Sequence, residues 1–232
     1  MGMSVTAIVV AGGIGKRMGG TLPKQFLPLG DRPMVFHALK AFDEHPRVDE
    51  LILVLPAEWI DHFEGELLPR FPLRKLKKIV KGGEARQDST RQGFLNVVPG
   101  TDLVLVHDAA RPLIDAETIG RCIDAAQDDG AAIAATPASD TLKEVREGRI
   151  VGTVDRGKIF QAQTPQAFRF EVLKEALDRA AENNFQGTDE ASLVERLGKP
   201  VTIVESPRSN LKVTTPEDFA VALAFLEERK SP

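Results

Sequence analysis

The sequence predicts a doubly wound α/β domain with a mostly parallel sheet, on three observations. Short apolar runs alternate with amphipathic stretches along most of the 232 residues. The apolar runs lack the polar alternation of a half-exposed sheet, which is typical of strands that helices cover on both faces. The length allows a full core but is short for two domains of usual size. We therefore expect a single domain over residues 1–232 with one inserted element.

Four apolar runs are the candidate strands, and four stretches with apolar residues on one helical face are the candidate helices. The strands are expected at 5–10, 51–55, 103–106 and 131–135. The helices are expected around 35–42, 118–126, 172–180 and 219–226. Ligands of such sheets bind at the carboxyl ends of the strands, so functional residues are expected in the loops that follow them.

The segment 141–154 interrupts this alternation. β-Branched residues lie on both sides of Glu147-Gly148, a dipeptide that suits a tight turn. We expect a β-hairpin here, inserted as an arm at about 138–158. A two-stranded hairpin with few apolar residues is marginal in water, so the arm should pack against the domain or against another subunit.

Composition and charge narrow the possible functions. The chain is 42% hydrophobic and 28% charged, which is ordinary for a globular protein and too apolar for disorder. A formal net charge of -4 gives no general attraction to nucleic acid or to an anionic membrane. The apolar start at 5–10 is too short for a transport signal, so we expect a cytoplasmic protein.

Cysteine and histidine usage gives no sign of a metal site. Cys122 is the single cysteine, which excludes an internal disulfide and a CxxC site. It falls on the apolar face of the helix predicted at 118–126, so we expect a buried core thiol. The four histidines are too scattered to suggest metal ligands by spacing.

The stretch 11–30, directly after the first predicted strand, is the most informative about function. It contains six glycines, the cations Lys16, Arg17 and Lys24, and no acid, although the chain is acidic overall. Glycines let backbone amides approach an anion closely, and fixed cations neutralise the charge that amides cannot. We therefore predict that this loop binds a polyphosphate. The alternative is a flexible surface loop with solvated cations.

Two familiar phosphate-binding loops do not fit this stretch. A Walker A loop requires GxxxxGK and then Ser or Thr, but Gly15-Lys16 is followed by Arg17 and preceded five residues earlier by Val10. The dinucleotide fingerprint GxGxxG fails at Met18, and no acid for a ribose is evident some 20 residues later. An oxidoreductase is therefore not expected.

Further motifs follow along the chain in a fixed order. They are GGEARQDS at 82–89, VHDAARP at 106–112, DTLK at 140–143, TVDR at 153–156, QTPQAF at 163–168, TDEAS at 188–192 and NLKVTTPED at 210–218. With AGGIGKRM at 11–18 and PKQF at 23–26, these motifs resemble the 2-C-methyl-D-erythritol 4-phosphate cytidylyltransferases of the non-mevalonate isoprenoid pathway. The resemblance implies a Rossmann-like nucleotidyltransferase fold and a Mg²⁺-dependent transfer of CMP from CTP to methylerythritol phosphate, with release of pyrophosphate.

The resemblance also implies residue roles. Arg17 and Lys24 match stabilisers of the transition state, and Arg156 and Lys212 match residues that position the acceptor for attack. The positions matched to CTP binding are Ala11, Gly12, Gly13, Gly15, Gly82, Ser89, Asp108 and Ala109. The positions matched to acceptor binding are Thr141, Arg156, Thr164, Thr188 and Lys212. The protein ligands of the metal stay unknown.

The family forms a homodimer by crossing its arms, so the resemblance implies that Thr141 and Arg156 reach into the partner's site. Two positions depart from the family. Val10-Ala11-Gly12-Gly13 stands where Pro-Ala-Ala-Gly is usual, and Ser209 stands where an acid often precedes Asn. The first departure affects the assignment of the substrate more than that of the reaction.

The residues fit this chemistry independently of the resemblance. A phosphate monoester is largely a dianion at pH 7, so the acceptor needs no general base. Stabilising a five-coordinate α-phosphate suits Arg, Lys and a divalent ion. Asp108 is expected either to face the ligand crevice or to cap the next turn, and His107 to pack or hydrogen bond. Arg111 is expected either to bind a ligand or to pair with an acid.

Two other functions remain open at this point. One is a ribitol 5-phosphate cytidylyltransferase, which shares the glycine-rich loop, PKQF and QTPQ, although TVDR and TDEAS favour methylerythritol. The other is a non-catalytic nucleotide sensor, which would keep the loop but need not keep the cations Arg156 and Lys212.

Overall fold

Eleven strands are present in the computed structural model, which describes residues 2–12 and 22–229. They are β1 Val5–Val10, β2 Pro28–Leu29, β3 Arg32–Pro33, β4 Glu50–Leu55, β5 Leu76–Lys81, β6 Leu103–Asp108, β7 Ala131–Pro137, β8 Leu142–Arg146, β9 Arg149–Val154, β10 Phe160–Arg169 and β11 Thr202–Glu205. The α-helices of the same residues are α1 Met34–Glu44, α2 Ile60–His62, α3 Arg86–Phe94, α4 Ala116–Asp129, α5 Phe170–Glu182, α6 Glu190–Arg196 and α7 Pro216–Glu228.

The main sheet has the order β11-β7-β10-β6-β1-β4-β5 within the described part of the chain. Every neighbouring pair is parallel except those of β10, which runs antiparallel to both β6 and β7. The prediction of a mostly parallel α/β sheet is therefore confirmed. The four predicted strands correspond to β1, β4, β6 and β7, and the four predicted helices to α1, α4, α5 and α7.

Alternate residues of the central strands enter two separate cores, one on each face of the sheet. Val5, Ala7 and Val9 pack in the core that contains the apolar faces of α1 and α4. Ile8 and Val10 pack in the core that contains residues of α3, α5 and α6. Because both faces are covered, these strands carry apolar residues without a polar alternation. The doubly wound arrangement is confirmed.

Cys122 lies in the first of these cores and is fully buried. Burial raises the pKa of its thiol to about 12. The prediction of a core thiol is confirmed, since a protonated, inaccessible sulfur is a poor nucleophile.

A third, smaller core fixes the carboxyl-terminal segment against the start of the chain. Ala222 and Leu226 of α7 pack with Leu29, Met34 and Val213. The helix starts at a capping box, in which the Thr215 hydroxyl accepts the Asp218 amide hydrogen. This packing places Val213, the residue that follows Lys212, beside Leu29 and Met34.

The predicted hairpin is confirmed as β8 and β9, which pair with each other in a two-stranded sheet of their own. Glu147 and Gly148 both have positive φ, 49° and 77°, as a type I′ turn requires. Val145, Ile150 and Val151 are more than half exposed on this arm.

None of the described helices has the length and apolar character needed to cross a bilayer.

Candidate active site

The loops that carry the predicted functional residues meet at the carboxyl edge of the sheet. Val10, the last residue of β1, lies in register with Asp108, the last residue of β6. The amide of Ala109 donates to Val10 O at 2.9 Å, and that of Ala11 donates to Val54 O at 2.9 Å. The main chain therefore brings the ends of β1, β4 and β6 together.

Three positions predicted to bind CTP converge on one small recess. A Cβ at Gly12 would lie 3.2 Å from Ser89 Oγ, and a Cβ at Gly82 would lie 2.8 Å from the same atom. Ser89 Oγ in turn accepts the Gly83 amide hydrogen at 3.2 Å and donates to Ala85 O at 3.1 Å. Glycine is needed at Gly82 because any side chain there would displace Ser89.

Asp108 is the centre of an ionic cluster at this edge. Its Oδ1 accepts from Arg86 Nε at 2.8 Å, and its Oδ2 lies 2.6 Å from Lys212 Nζ. Arg86 Nη1 lies 2.8 Å from both carboxylate oxygens of Glu190. The Asp108 carboxylate therefore pairs with two cations. Its predicted place in the ligand crevice stays a prediction.

Burial alone would raise the pKa of Asp108, but attraction to Arg86 and Lys212 outweighs it and holds the pKa well below its usual range. The pKa of Arg86 is raised, because Glu190 and Asp108 together outweigh the effect of its burial. Asp108 and Arg86 are thus both charged at neutral pH. Lys212 has 41% of its side chain exposed, so it is the member that can turn toward a substrate.

Lys24 links the nucleotide loop to the same place. It starts a short helical turn, Lys24–Phe26, and its Nζ donates to Val213 O at 2.8 Å. The next residue, Gln25, is buried and its Nε2 donates to Ala11 O at 2.7 Å. The PKQF motif is therefore fastened both to the loop after β1 and to the residue that follows Lys212.

His107 and Thr164 form a buried hydrogen-bonded support under Asp108. His107 Nε2 lies 3.1 Å from Arg111 O, and a carbonyl only accepts, so this nitrogen carries the proton. Thr164 Oγ1 then donates to His107 Nδ1 at 3.0 Å and accepts the Asp108 amide hydrogen at 3.1 Å. The expectation that His107 packs and hydrogen bonds is confirmed. The predicted contact of Thr164 with the acceptor stays a prediction.

Burial of His107 makes the fold sensitive to acid. Burial lowers its pKa to about 4, whereas an unfolded histidine titrates at roughly 6.5. Between these values the unfolded chain binds more protons, so stability falls as the pH falls. We expect His107 alone to lower the free energy of unfolding by about 2 kcal/mol between pH 7 and pH 5.

Urea denaturation at the two pH values measures this effect. His107→Gln should lose that part of the pH dependence, whereas His45, whose pKa burial also lowers, is retained in both proteins. An equal pH dependence in wild type and variant would show that His107 is not the source.

Within the described residues, the hydrogen bonds of Arg111 go to carbonyl groups and not to an acid. It is buried and donates to Asn210 O at 2.8 Å and to Ala162 O at 3.4 Å. Burial lowers its pKa to about 10, so it remains a cation at neutral pH. With Arg208 and Lys212 it lines a cavity of about 330 Å³ whose other lining residues are Thr136, Pro137, Ser139, Gln161, Ala162, Gln163 and Leu211. Three cations and no carboxylate suit this cavity to an anion.

The arm residues lie close to this cavity. Arg156 is exposed and donates to Ser139 O, and Ser139 is one of the lining residues. Thr141 is exposed at the base of β8. Thr188 is exposed directly before Asp189, whose carboxylate caps α6 by accepting from Ser192 N at 2.9 Å. Of the positions predicted to bind the acceptor, Lys212 lines this cavity and Arg156 contacts one of its lining residues. The roles of Thr141 and Thr188 stay predictions.

Three predicted residues, Gly13, Gly15 and Arg17, lie outside the described residues. A metal ligand set is also not apparent in the described part of the chain, where no three His, Cys, Asp or Glu residues are grouped in a way that could hold an ion. Asp108 is the ionised carboxylate at the centre of the site.

Sequence reasoning gave no role to Arg86 and Glu190. Both lie within motifs that were recognised, GGEARQDS and TDEAS, but their pairing spans 104 residues. Burial of its side chain is what singles out Glu190, and burial is not readable from a short polar motif.

Known proteins are similar to this chain over nearly its whole length. The family model described as IspD, 2-C-methyl-D-erythritol 4-phosphate cytidylyltransferase, matches residues 5–228. Proteins named 2-C-methyl-D-erythritol 4-phosphate cytidylyltransferase include one from Syntrophotalea carbinolica, 44% identical over 97% of both chains. Another, from Geobacillus kaustophilus, is 41% identical and covers 98% of this chain and 99% of the relative.

Solved structures are similar as well. A 4-diphosphocytidyl-2C-methyl-D-erythritol synthase from Anaerococcus prevotii superimposes with a TM-score of 0.85 at 28% identity, over 97% of this chain and 99% of the other. A 2-C-methyl-D-erythritol 4-phosphate cytidylyltransferase from Thermus thermophilus gives a TM-score of 0.77 at 30% identity, over 95% and 98% of the two chains.

Proposed function

Because the chain belongs to the 2-C-methyl-D-erythritol 4-phosphate cytidylyltransferase family, we propose that it transfers CMP from CTP to 2-C-methyl-D-erythritol 4-phosphate and releases pyrophosphate. The observation that carries the proposal is the convergence of two lysines from opposite ends of the chain. Lys24 donates to Val213 O, and Lys212 precedes that residue and pairs with Asp108. The glycine-lined recess fits a nucleotide, and the cationic cavity fits an anionic acceptor.

The reaction needs cations more than it needs a base. The acceptor phosphate is largely a dianion at pH 7, so one of its oxygens attacks the α-phosphorus of CTP directly. The new O–P bond forms as the bond from the α-phosphorus to the β-phosphate oxygen breaks, and pyrophosphate leaves with that electron pair. Lys24, already beside the loop after β1, neutralises charge on the triphosphate. Fixed cations of this kind stabilise the five-coordinate state without having to reorganise.

Lys212 and the cationic cavity act on the acceptor. The ammonium of Lys212 is partly exposed, so it can exchange Asp108 for an oxygen of the acceptor phosphate. Arg111 and Arg208 line the same cavity and add positive charge. Holding two anions at reacting distance is the main requirement of such a transfer.

Mg²⁺ fits this site through Asp108. Mg²⁺ in nucleotide sites is usually held by one or two carboxylates together with substrate phosphates, and Asp108 supplies an ionised carboxylate at the strand end. The ion, when bound, neutralises charge on the triphosphate and on the departing pyrophosphate. The residue of this chain that would hold it is Asp108.

We also propose that the protein is a homodimer formed through the arm. Val145, Ile150 and Val151 expose apolar surface on a hairpin that is too small to be stable by itself. Burial of these side chains against a second copy removes them from water. Arg156 and Thr141 at the base of the arm are then available to a neighbouring site.

Pyrophosphate release in the presence of Mg²⁺ tests the proposed function. We expect rapid release with CTP and methylerythritol phosphate, and much slower release with ribitol 5-phosphate or with ATP. Equal rates with ribitol 5-phosphate would overturn the substrate assignment. Tight CTP binding without turnover on either acceptor would instead indicate a nucleotide sensor.

A further inference from the structure

We propose that Arg86 and Glu190 are positioning residues that join the nucleotide half of the site to the acceptor half. The inference rests on the proposed function, because that function defines the two halves. Neither residue has to touch a substrate. They act through Asp108 on one side and through the segment that carries Thr188 on the other side.

Arg86 is bonded in two directions by different nitrogens. Its Nε donates to Asp108 Oδ1, and its Nη1 donates to Glu190, all at 2.8 Å. The planar guanidinium fixes the angle between these two directions. As a result Asp108 has one oxygen anchored, and its Oδ2 is directed to Lys212.

This anchor matters when Lys212 binds the acceptor. Once the ammonium of Lys212 turns to a phosphate, Asp108 loses its contact at 2.6 Å. The carboxylate is 9% exposed and would then be a nearly buried charge with no cationic side chain of this protein beside it, were Arg86 not in place. Arg86 therefore keeps Asp108 oriented during the transfer.

Glu190 holds Arg86 and is itself strongly fixed. Its side chain is 1% exposed, and Thr90 Oγ1 donates to its Oε1 at 2.8 Å. Thr90 and Arg86 both belong to α3, the helix that also carries Ser89 of the nucleotide recess. Glu190 is the first residue of α6 and so connects α6 to the nucleotide side.

Three further hydrogen bonds tie the segment before α6 to the rest of the site. Gln87 Oε1 accepts the Gly187 amide hydrogen at 2.8 Å, next to Arg86 on the same helix. Gln166 of β10 donates to Asp189 Oδ2 at 2.7 Å and accepts from Ala191 N at 3.0 Å. Thr188 lies between these fixed points. A shift of Arg86 or Glu190 therefore displaces groups of both halves together.

Steady-state kinetics with both substrates varied test the inference. Arg86→Lys keeps the charge, but a single ammonium cannot reproduce the two directed contacts of the guanidinium. We expect its kcat to fall at least about 10-fold, since small misplacements of reacting groups have effects of this size or larger. Glu190→Gln keeps the length of the side chain and removes its charge, and we expect a similar loss of kcat. The kcat of the double variant should be no lower than that of the less active single variant, because both changes break the same network.

Thr101→Val is the matched control. It removes the hydrogen bond that Thr101 Oγ1 donates to Val98 O, near the start of β6 and so at the opposite end of that strand from Asp108. We expect a melting temperature lower by roughly 2–6 °C with kcat within about 3-fold of wild type. If kcat falls in proportion to the melting temperature in all three variants, the control included, Arg86 and Glu190 have only structural roles.

A kcat within about 3-fold of wild type in folded Arg86→Lys would overturn the inference, given the scale of loss that misplacement causes. If Arg86→Lys does not fold, Glu190→Gln decides in the same way. The wild-type protein in the same assay separates the two proposals. If the wild type turns over and the variants have the same kcat, only the positioning role is refuted. If the wild type is inactive, the proposed function is refuted together with this inference.

Discussion

Lys24→Ala lowers kcat at least about 100-fold if Lys24 stabilises the charge that develops on the triphosphate, comparable to the loss of one preorganised oxyanion contact. Lys24 Nζ lies 2.8 Å from Val213 O, so the side chain is already held at the junction of the two half-sites. Alanine removes this cation and leaves the glycine-lined recess intact. The loss should therefore appear in kcat more than in the KM for CTP.

Two controls distinguish a loss of catalysis from the loss of any surface charge and from a loss of stability. Lys40→Ala removes an exposed lysine that pairs with Glu44 on α1, away from the site, and should leave kcat unchanged. Lys24→Ala removes the hydrogen bond to Val213 O, which contributes about 1 kcal/mol, and we expect its melting temperature to change by only a few degrees. A folded Lys24→Ala protein with near-normal turnover would contradict the role of Lys24.

Mixing two inactive variants restores activity if each site is composite. A Lys24→Ala subunit lacks the nucleotide-side cation but lends an intact arm, whereas an Arg156→Ala subunit keeps Lys24 and lends a faulty arm. In a mixed dimer one site then holds both defects and the other holds none. Random co-refolding makes half of the dimers mixed, so activity should reach about a quarter of wild type.

The alternative is an arm that serves its own subunit, and the same mixture tests it. Within one chain Arg156 donates to Ser139 O, beside the cavity that Lys212 lines. If that arrangement is the catalytic one, mixed dimers confirmed by native mass spectrometry will stay inactive. The composite site would then be withdrawn, and the reaction would be retained.

The central strands and the amphipathic helices could be predicted because burial on both faces leaves a direct mark on composition. β5 and β11 could not, since edge strands expose one face and carry charged residues such as Lys77 and Glu205. β10 was missed for a different reason. It contains Gln163, Thr164 and Pro165, and its pairing with β7 is irregular between Ala162 and Gln166, so neither an apolar run nor an alternation appears.

The site shows the same division. Residues within one motif, such as Lys24 or Asp108, can be assigned by resemblance and placed by the strand that precedes them. The partners of Asp108 come from positions 86 and 212, and no local pattern specifies that these two cations meet on one carboxylate. Long-range ion pairs depend on tertiary packing, which a periodicity does not encode.

Transfer of the CMP group is the central claim, and phosphorus NMR of a single reaction mixture tests it most directly. CTP, Mg²⁺ and methylerythritol phosphate labelled with ¹⁸O in its phosphate are incubated with the protein. We predict that CTP is converted into pyrophosphate and a diphosphate with two mutually coupled phosphorus signals, and that all of the label stays in the diphosphate. CDP with inorganic phosphate, or CMP formed at the same rate without the acceptor, would contradict the account.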